Sequence, residues 1–546
     1  MHSIEVVLVM LLAVVASGYL ARVLPRWLPL PLPVVQIALG ATIAGVFGQG
    51  VTLDPHLFFV LFLPPLLFLD GWRIPKDGLF RDRRVILQLA LGLVVFTVVG
   101  AGFLIHWLIP VMPLAVAFAL AAILSPTDPV AVSSIAARAP IPKRVMHILE
   151  GESLLNDASG LVCFRFAVAA AMTGTFSLAS ASLTFVWVAL AGIAVGVALT
   201  IAINRGHALI SRLFGEEAGT PILISLLTPF GAYLIAEQIA ASGILAAVAA
   251  GITMSYVELS GRALATTRVQ RAAVWDTVQF SLNGIIFVLL GEQLPWILQR
   301  AVASVREAGH VDPWWLAIYV VAIYAGLFAL RFTWVWVTLR IGLYRARGAG
   351  LPPRKPEWRL VAAMSLAGVR GAITLAGVLT LPLLLPDGAP FPTRDLAIFL
   401  AAAVIILSLL LGSLALPRLL RDLDVPEARD DDRELDHARH EAAVAAVAAV
   451  ERAQHALPAA TANPDLYASA AVRVMALYEE RIRRDGSGGV DAAELRRADD
   501  AERALRLAGM QAERRRVYEL ARQRTISDEV ARRLVRELDL LEARYR

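Results

Sequence analysis

Along the first four-fifths of the chain, apolar residues gather into long runs separated by short polar connections. The runs lie at about 3–22, 30–49, 57–71, 84–108, 113–136, 148–173, 182–203, 221–239, 243–257, 276–298, 314–340, 360–385 and 394–420. Val6–Leu20, Val85–Phe103 and Phe399–Leu416 contain no charged residue. A helix needs about 20 apolar residues to cross a hydrocarbon core of about 30 Å. The pattern therefore predicts an all-α polytopic membrane protein with about thirteen transmembrane helices. After Leu420 it changes: RDLDVPEARDDDRELDHARH is dense in mixed charge, and AERALRLAGMQAERRRVYELARQR keeps apolar residues at helical spacing between arginines. This divides the chain into a transmembrane domain over 1–420 and a helical tail over 421–546, with GSGG at 486–489 as a break in the tail.

Charge fixes an orientation. With thirteen spans, the connections on one side hold 21 lysines and arginines, and those on the other hold only Arg300, Arg306 and Arg394. Basic residues accumulate on the cytoplasmic side, so the N-terminus is expected outside and the tail in the cytoplasm. The first run lacks a basic stretch ahead of it and reads as a transmembrane helix rather than a signal peptide. Composition agrees with a membrane location: 58% of residues are hydrophobic and 18% charged, against about 25% charged in soluble domains. The net charge of +5 follows from topology and gives no reason to expect a nucleic acid partner. The single cysteine, Cys163, excludes a disulfide within one chain and a cysteine-rich metal site.

Two spans break their own pattern. In the fifth, ILSPTDPVAVSS places Pro126 and Pro129 around Thr127 and Asp128. Proline removes a backbone donor and clashes with the preceding turn, so the helix should unwind there. In the twelfth, Gly368, Arg370 and Gly371 interrupt SLAGVRGAITLAGVLTLP. Non-helical backbone at membrane depth is tolerated only where it is buried in protein or lines a cavity. Each break falls in the fifth helix of a six-helix half, spans 1–6 and 8–13, and the odd spacing of seven makes the halves antiparallel. Paired interrupted helices in inverted repeats point to a secondary transporter with its site at the crossing.

The sixth span opens with EGESLLNDASG, residues 150–160. Acids at membrane depth are costly and mark ion pathways by default. Ser153 and Asp157 are four residues apart and share a helix face, as do Glu152 and Asn156. The first pair is assigned to the crossing beside Asp128. The second is assigned to a cationic neighbour, for which Arg331 and Arg370 are the two arginines deep in later spans.

SPTDPVAV, EGESLLNDASGLV, AYLIAEQIAASGILAAVAAGI, WDTVQFSLNGIIFVLLGEQLP and GVRGAITLAG, in this order, resemble the bacterial sodium/proton antiporters of the cation:proton antiporter-1 family, relatives of animal sodium/hydrogen exchangers. The resemblance covers roughly residues 1–420. It implies that Asp157 carries the ion, that Asp128 helps form the site, and that Thr127 gives a backbone oxygen and Ser153 a further one. It also implies that Glu152 pairs with Arg331 while Asn156 braces the site. Arg370 either braces the twelfth-span crossing or merely sits beside a glycine bend. Relatives often carry an acid one residue after the position of Phe68; here Leu69 stands there and Asp70 follows. Asp70 either reaches the cavity or begins the basic loop. The resemblance further implies a homodimer in a bacterial plasma membrane, an elevator-like movement of a core domain, and no cofactor beyond the transported ions.

The expected activity is antiport of Na⁺, or K⁺ or Li⁺, against H⁺. Small hard cations and protons compete for the same carboxylate, hydroxyl and carbonyl oxygens. Exchange follows if the site changes sides when either occupies it and stays put when charged and empty. Asn156, where an electrogenic relative would have a second aspartate, implies one cation per proton. A passive channel needs neither paired broken helices nor a protonatable site. A membrane enzyme is disfavoured because there is no HExxH zinc motif. Glu237 and Glu292 are expected near span ends with their charges snorkelling to the interface, and His106 and His147 as interfacial residues.

Overall fold

The structure is a computed structural model that describes residues 3–23, 30–47, 55–74, 81–128, 143–174, 178–214, 219–259, 265–307, 314–348, 358–420, 428–456, 464–485, 491–523, 525–526 and 528–545. Pro129 with the rest of the fifth span, Arg26, and the 486–489 break lie outside them. The chain divides into two compact units, Met1–Leu423 and Asp424–Arg546.

In the first unit the helices are α1 (Ser3–Val23), α2 (Leu32–Phe47) and α3 (Pro55–Arg73), then α4 (Arg83–Leu108). They continue with α5 (Leu114–Leu124), α6 (Lys143–Thr173), α7 (Leu178–Phe214), α8 (Gly219–Gln238), α9 (Gly243–Leu259), α10 (Ala265–Glu307), α11 (Trp314–Gly348), α12 (Trp358–Leu366), α13 (Ala372–Leu379) and α14 (Arg394–Leu420). Among the described residues, seven helices are long and apolar enough to cross a membrane. Several outrun the apolar runs that announce them. α10 has 43 residues, about 65 Å of helix, because Arg268, Arg271 and Asp276 end its apolar pattern without ending its hydrogen bonding. A π-helical turn over Gln88–Leu93 interrupts α4, and Ser159 of α6 donates a hydrogen bond to its Ala90 carbonyl at 2.6 Å.

Packing sorts these helices into two groups. α1–α3 and α7–α10 pack mainly on one another, as do α4–α6 and α11–α14, and α10 against α14 is the broadest seam between the groups. Glycines set the first group's spacing. A Cβ on Gly40 of α2 would lie 1.9 Å from the Val288 carbonyl oxygen of α10, and one on Gly291 of α10 would lie 1.9 Å from the Ile37 carbonyl oxygen. Such small-residue contacts let backbones touch where lipid supplies no hydrophobic drive.

The EGES helix and both interrupted spans lie in the second group. α5 stops at Leu124, and Ser125–Asp128 are non-helical. The twelfth span is two helices, α12 and α13, joined by the extended residues Gly368–Gly371. One expectation is corrected. Glu292 is buried, 5% exposed, in the stretch of α10 packed on α2, because the helix runs on past it to Glu307 and the α2 backbone covers that face. Glu237 does lie near the end of α8 and pairs with Arg165 at 3.4 Å.

The second unit contains α15 (Ala428–Ala456), α16 (Pro464–Asp485), α17 (Asp491–Arg522) and α18 (Asp528–Tyr545). α15 packs on α16 and α17 on α18. Arg514 of α17 pairs with Glu542 and Asp539 of α18.

Candidate functional site

Because proline and glycine break α5 and the α12–α13 span at matching depth, their backbones can bond to each other. The Asp128 amide donates to the Val369 carbonyl at 2.8 Å. Gly371 is needed for this approach, since a Cβ there would lie 1.8 Å from an Asp128 carboxylate oxygen. Arg370 secures the same crossing. Its Nε donates to the Leu124 carbonyl at 2.9 Å, its Nη1 to the Gly368 carbonyl, and its backbone amide to Ser408 Oγ at 3.1 Å. A guanidinium is thus buried where α5 and α12 end, and carbonyls left over at helix C-termini carry the partial negative charge it complements.

α6 crosses beside these breaks and divides its polar residues by face. Glu152 accepts two hydrogen bonds from Arg331 of α11, at 2.5 and 2.7 Å, with both side chains buried. Arg331 Nε also donates to the Met364 carbonyl of α12 at 3.2 Å. Thr127 joins this pair to the crossing. Its hydroxyl accepts from Asn156 Nδ2 at 3.0 Å and donates to Glu152 Oε1 at 3.4 Å, while its carbonyl accepts from Ser153 Oγ at 2.9 Å. The backbone oxygen that the resemblance offers as an ion ligand is therefore already bonded once, leaving its second lone pair.

Ser153 and Asp157, on the other face of α6, look into a cavity of about 40 Å³ together with Thr127 and Asp128. Such a volume holds a few waters at roughly 10–15 Å³ each. Asp157 is buried, 4% exposed. The helix groups meet here, because Leu63, Leu66, Leu67 and Asp70 of α3 and Asn283 of α10 form the opposing wall. Asp70 is thus placed on the cavity side, a point its sequence position left open. Three carboxylates face one small space, yet among the described residues no three acidic, histidine or cysteine side chains cluster tightly enough to cage a metal ion. The carboxylate, hydroxyl and carbonyl oxygens around this space are hard ligands of the kind that small cations and protons share.

Four sequence-selected residues lie away from the cavity. Glu152, Asn156, Arg331 and Arg370 bond to the elements that shape it instead. His106 Nδ1 lies 2.8 Å from the Met112 carbonyl at the α4–α5 turn. Two polar lining residues escaped selection, Asn283 and Thr374. Asn283 stands in one of the segments that carry the family resemblance, WDTVQFSLNGIIFVLLGEQLP, but within it reads only as a lone amide in an apolar run. Thr374 lies one turn beyond the interruption at Gly371, where a hydroxyl reads as ordinary helix packing.

Residues 9–422 match the family model described as sodium/hydrogen exchanger, transmembrane. The chain is 43% identical over 540 residues to the uncharacterized Na⁺/H⁺ exchanger YjcE of Escherichia coli (strain K12), covering 98% of both chains. It is 44% identical over 440 residues to the sodium, potassium, lithium and rubidium/H⁺ antiporter of Bacillus pumilus (strain SAFR-032), covering 80% of this chain and 64% of that one. The fold resembles the solved sodium proton antiporter MjNhaP1 from Methanocaldococcus jannaschii, with a TM-score of 0.58 at 18% identity over 77% of this chain and 99% of that one. With a family match across the whole of its membrane region and close relatives along its length, the chain belongs to the sodium/hydrogen exchanger family, a family of secondary transporters rather than enzymes.

Proposed function

We propose that the protein exchanges Na⁺ for H⁺ across a bacterial plasma membrane, one cation per proton and without net charge movement. The observation that carries this reading is the cavity at the crossing of the interrupted helices, where Asp128 and Asp157 from one helix group face Asp70 from the other. Asp157 carries the cation or the proton, with Asp128, Thr127 and Ser153 supplying further oxygens and Asp70 facing them. Glu152, Asn156, Arg331 and Arg370 hold the crossing in shape. The site lies between two helix groups, so sliding of α4–α6 with α11–α14 past the other group would present it to each side in turn. The accompanying topology is thirteen spans in two inverted six-helix repeats, N-terminus outside, tail in the cytoplasm, assembled as a homodimer.

K⁺/H⁺ exchange is the second reading. It is favoured by the similarity to antiporters of Bacillus pumilus and Bacillus subtilis whose named ions include potassium, lithium and rubidium. Purified protein in proteoliposomes separates these outcomes through an internal pH dye, on addition of Na⁺ and then K⁺, with valinomycin setting the membrane potential during the Na⁺ runs. Cation-driven pH change that ignores the potential is expected. A voltage-dependent response would refute the one-to-one stoichiometry, and no response to any cation would refute exchange.

A further inference from the structure

The cavity has an unassigned polar group on its opposing wall. Asn283 of α10 lies within an apolar stretch, lines the cavity, and makes no hydrogen bond to protein among the described residues. Asn283 is half-buried, and an amide at membrane depth gains from a polar partner, which the contents of the cavity can supply. Its helix packs closely on α2. Gly284, the next residue, packs on Val14 of α1 and Gln36 of α2, and Gly291 packs on the Ile37 backbone, with no space for a Cβ at either. Asn283 is therefore fixed to the α1–α3, α7–α10 group, whereas Asp128, Asp157, Thr127 and Ser153 belong to the other.

We infer that Asn283 is a one-sided specificity residue: its amide oxygen completes the coordination of the transported cation only while the site faces the wall seen here. The inference rests on the exchange reading, in which the group bearing Asp128 and Asp157 moves past α10 and α3. Carboxylates attract any cation and any proton, and a neutral amide oxygen is a ligand for the cation alone. Asn283 thus favours cation over proton without adding charge, and once the carrying group moves away the amide no longer reaches the ion.

The test is sidedness. Exchange is measured in right-side-out and inside-out vesicles for the wild type, Asn283→Leu and Asn283→Asp. Asn283→Leu removes the oxygen at similar volume, and Asn283→Asp keeps one in place. The expected result is a rise of roughly tenfold in the apparent KM for Na⁺ of Asn283→Leu on one membrane face, the scale of one lost polar contact to a charge. The other face should show a much smaller rise, and Asn283→Asp no rise on either. An equal rise on both faces, or none, would overturn the inference while wild-type exchange stands. If the wild type itself exchanged no cation for protons, the functional reading would fail first. Should Asn283→Leu not insert, Asn283→Ala carries the same comparison.

Discussion

Asp157 and Glu152 lie five residues apart on one helix and meet different surroundings, and that difference decides what replacing each should do. Asp157 faces the cavity, so Asp157→Asn removes the carboxylate proposed to carry the proton, with almost no change in shape. Cation-driven proton flux in proteoliposomes should fall to the protein-free background, with expression and insertion retained. Glu152 is locked to Arg331 by two hydrogen bonds in a buried setting. Removing one partner of such a pair costs about 3–5 kcal/mol, because the other charge stays buried alone. Glu152→Gln should therefore lower thermal stability in detergent well before it alters cation affinity. An unchanged melting temperature with weakened affinity would place Glu152 among the ion ligands. This split was legible in the sequence because helical geometry alone separates positions four apart from positions five apart. The choice of Arg331 over Arg370 came from the family resemblance, since no periodicity tells which buried arginine a glutamate will reach. Asn283 was not legible, because one amide in an apolar run forms no pattern.

The interrupted helices were the most readable elements, since proline and paired glycine act through local backbone chemistry that no tertiary context removes. What the interruptions do is tertiary. The crossing depends on the Asp128–Val369 backbone bond and on Gly371, whose missing side chain leaves room for the Asp128 carboxylate. Gly371→Ala would drive a methyl group into that carboxylate. The expected outcome is at least a tenfold loss of exchange rate in inserted protein, consistent with overpacking costs of about 1–3 kcal/mol at the site. Wild-type exchange by this variant would show that the crossing tolerates separation. Helix ends were less legible. Hydropathy marks where a helix is apolar, and α10 continues through charged turns well past that point. The burial of Glu292 escaped the sequence for the same reason: its neighbour is the α2 backbone, brought close by glycines hundreds of residues apart in sequence.

At the scale of the whole chain, the membrane unit contains every residue assigned to the site, and Asp424–Arg546 forms a unit of its own. Truncation after Leu423 should leave measurable exchange in proteoliposomes, and complete loss in folded, inserted protein would make the tail part of the transport machinery. The central claim is that one cation and one proton compete for the Asp157 carboxylate within the shared cavity. The most direct test is calorimetric Na⁺ binding to the purified full-length protein across a pH series, with Asp157→Asn measured alongside. Competition by a single proton predicts that the apparent Kd for Na⁺ rises by roughly tenfold for each unit the pH falls below the pKa of the site, and that Asp157→Asn gives no binding heat. Affinity independent of pH, or Na⁺ binding that survives Asp157→Asn, would contradict the account.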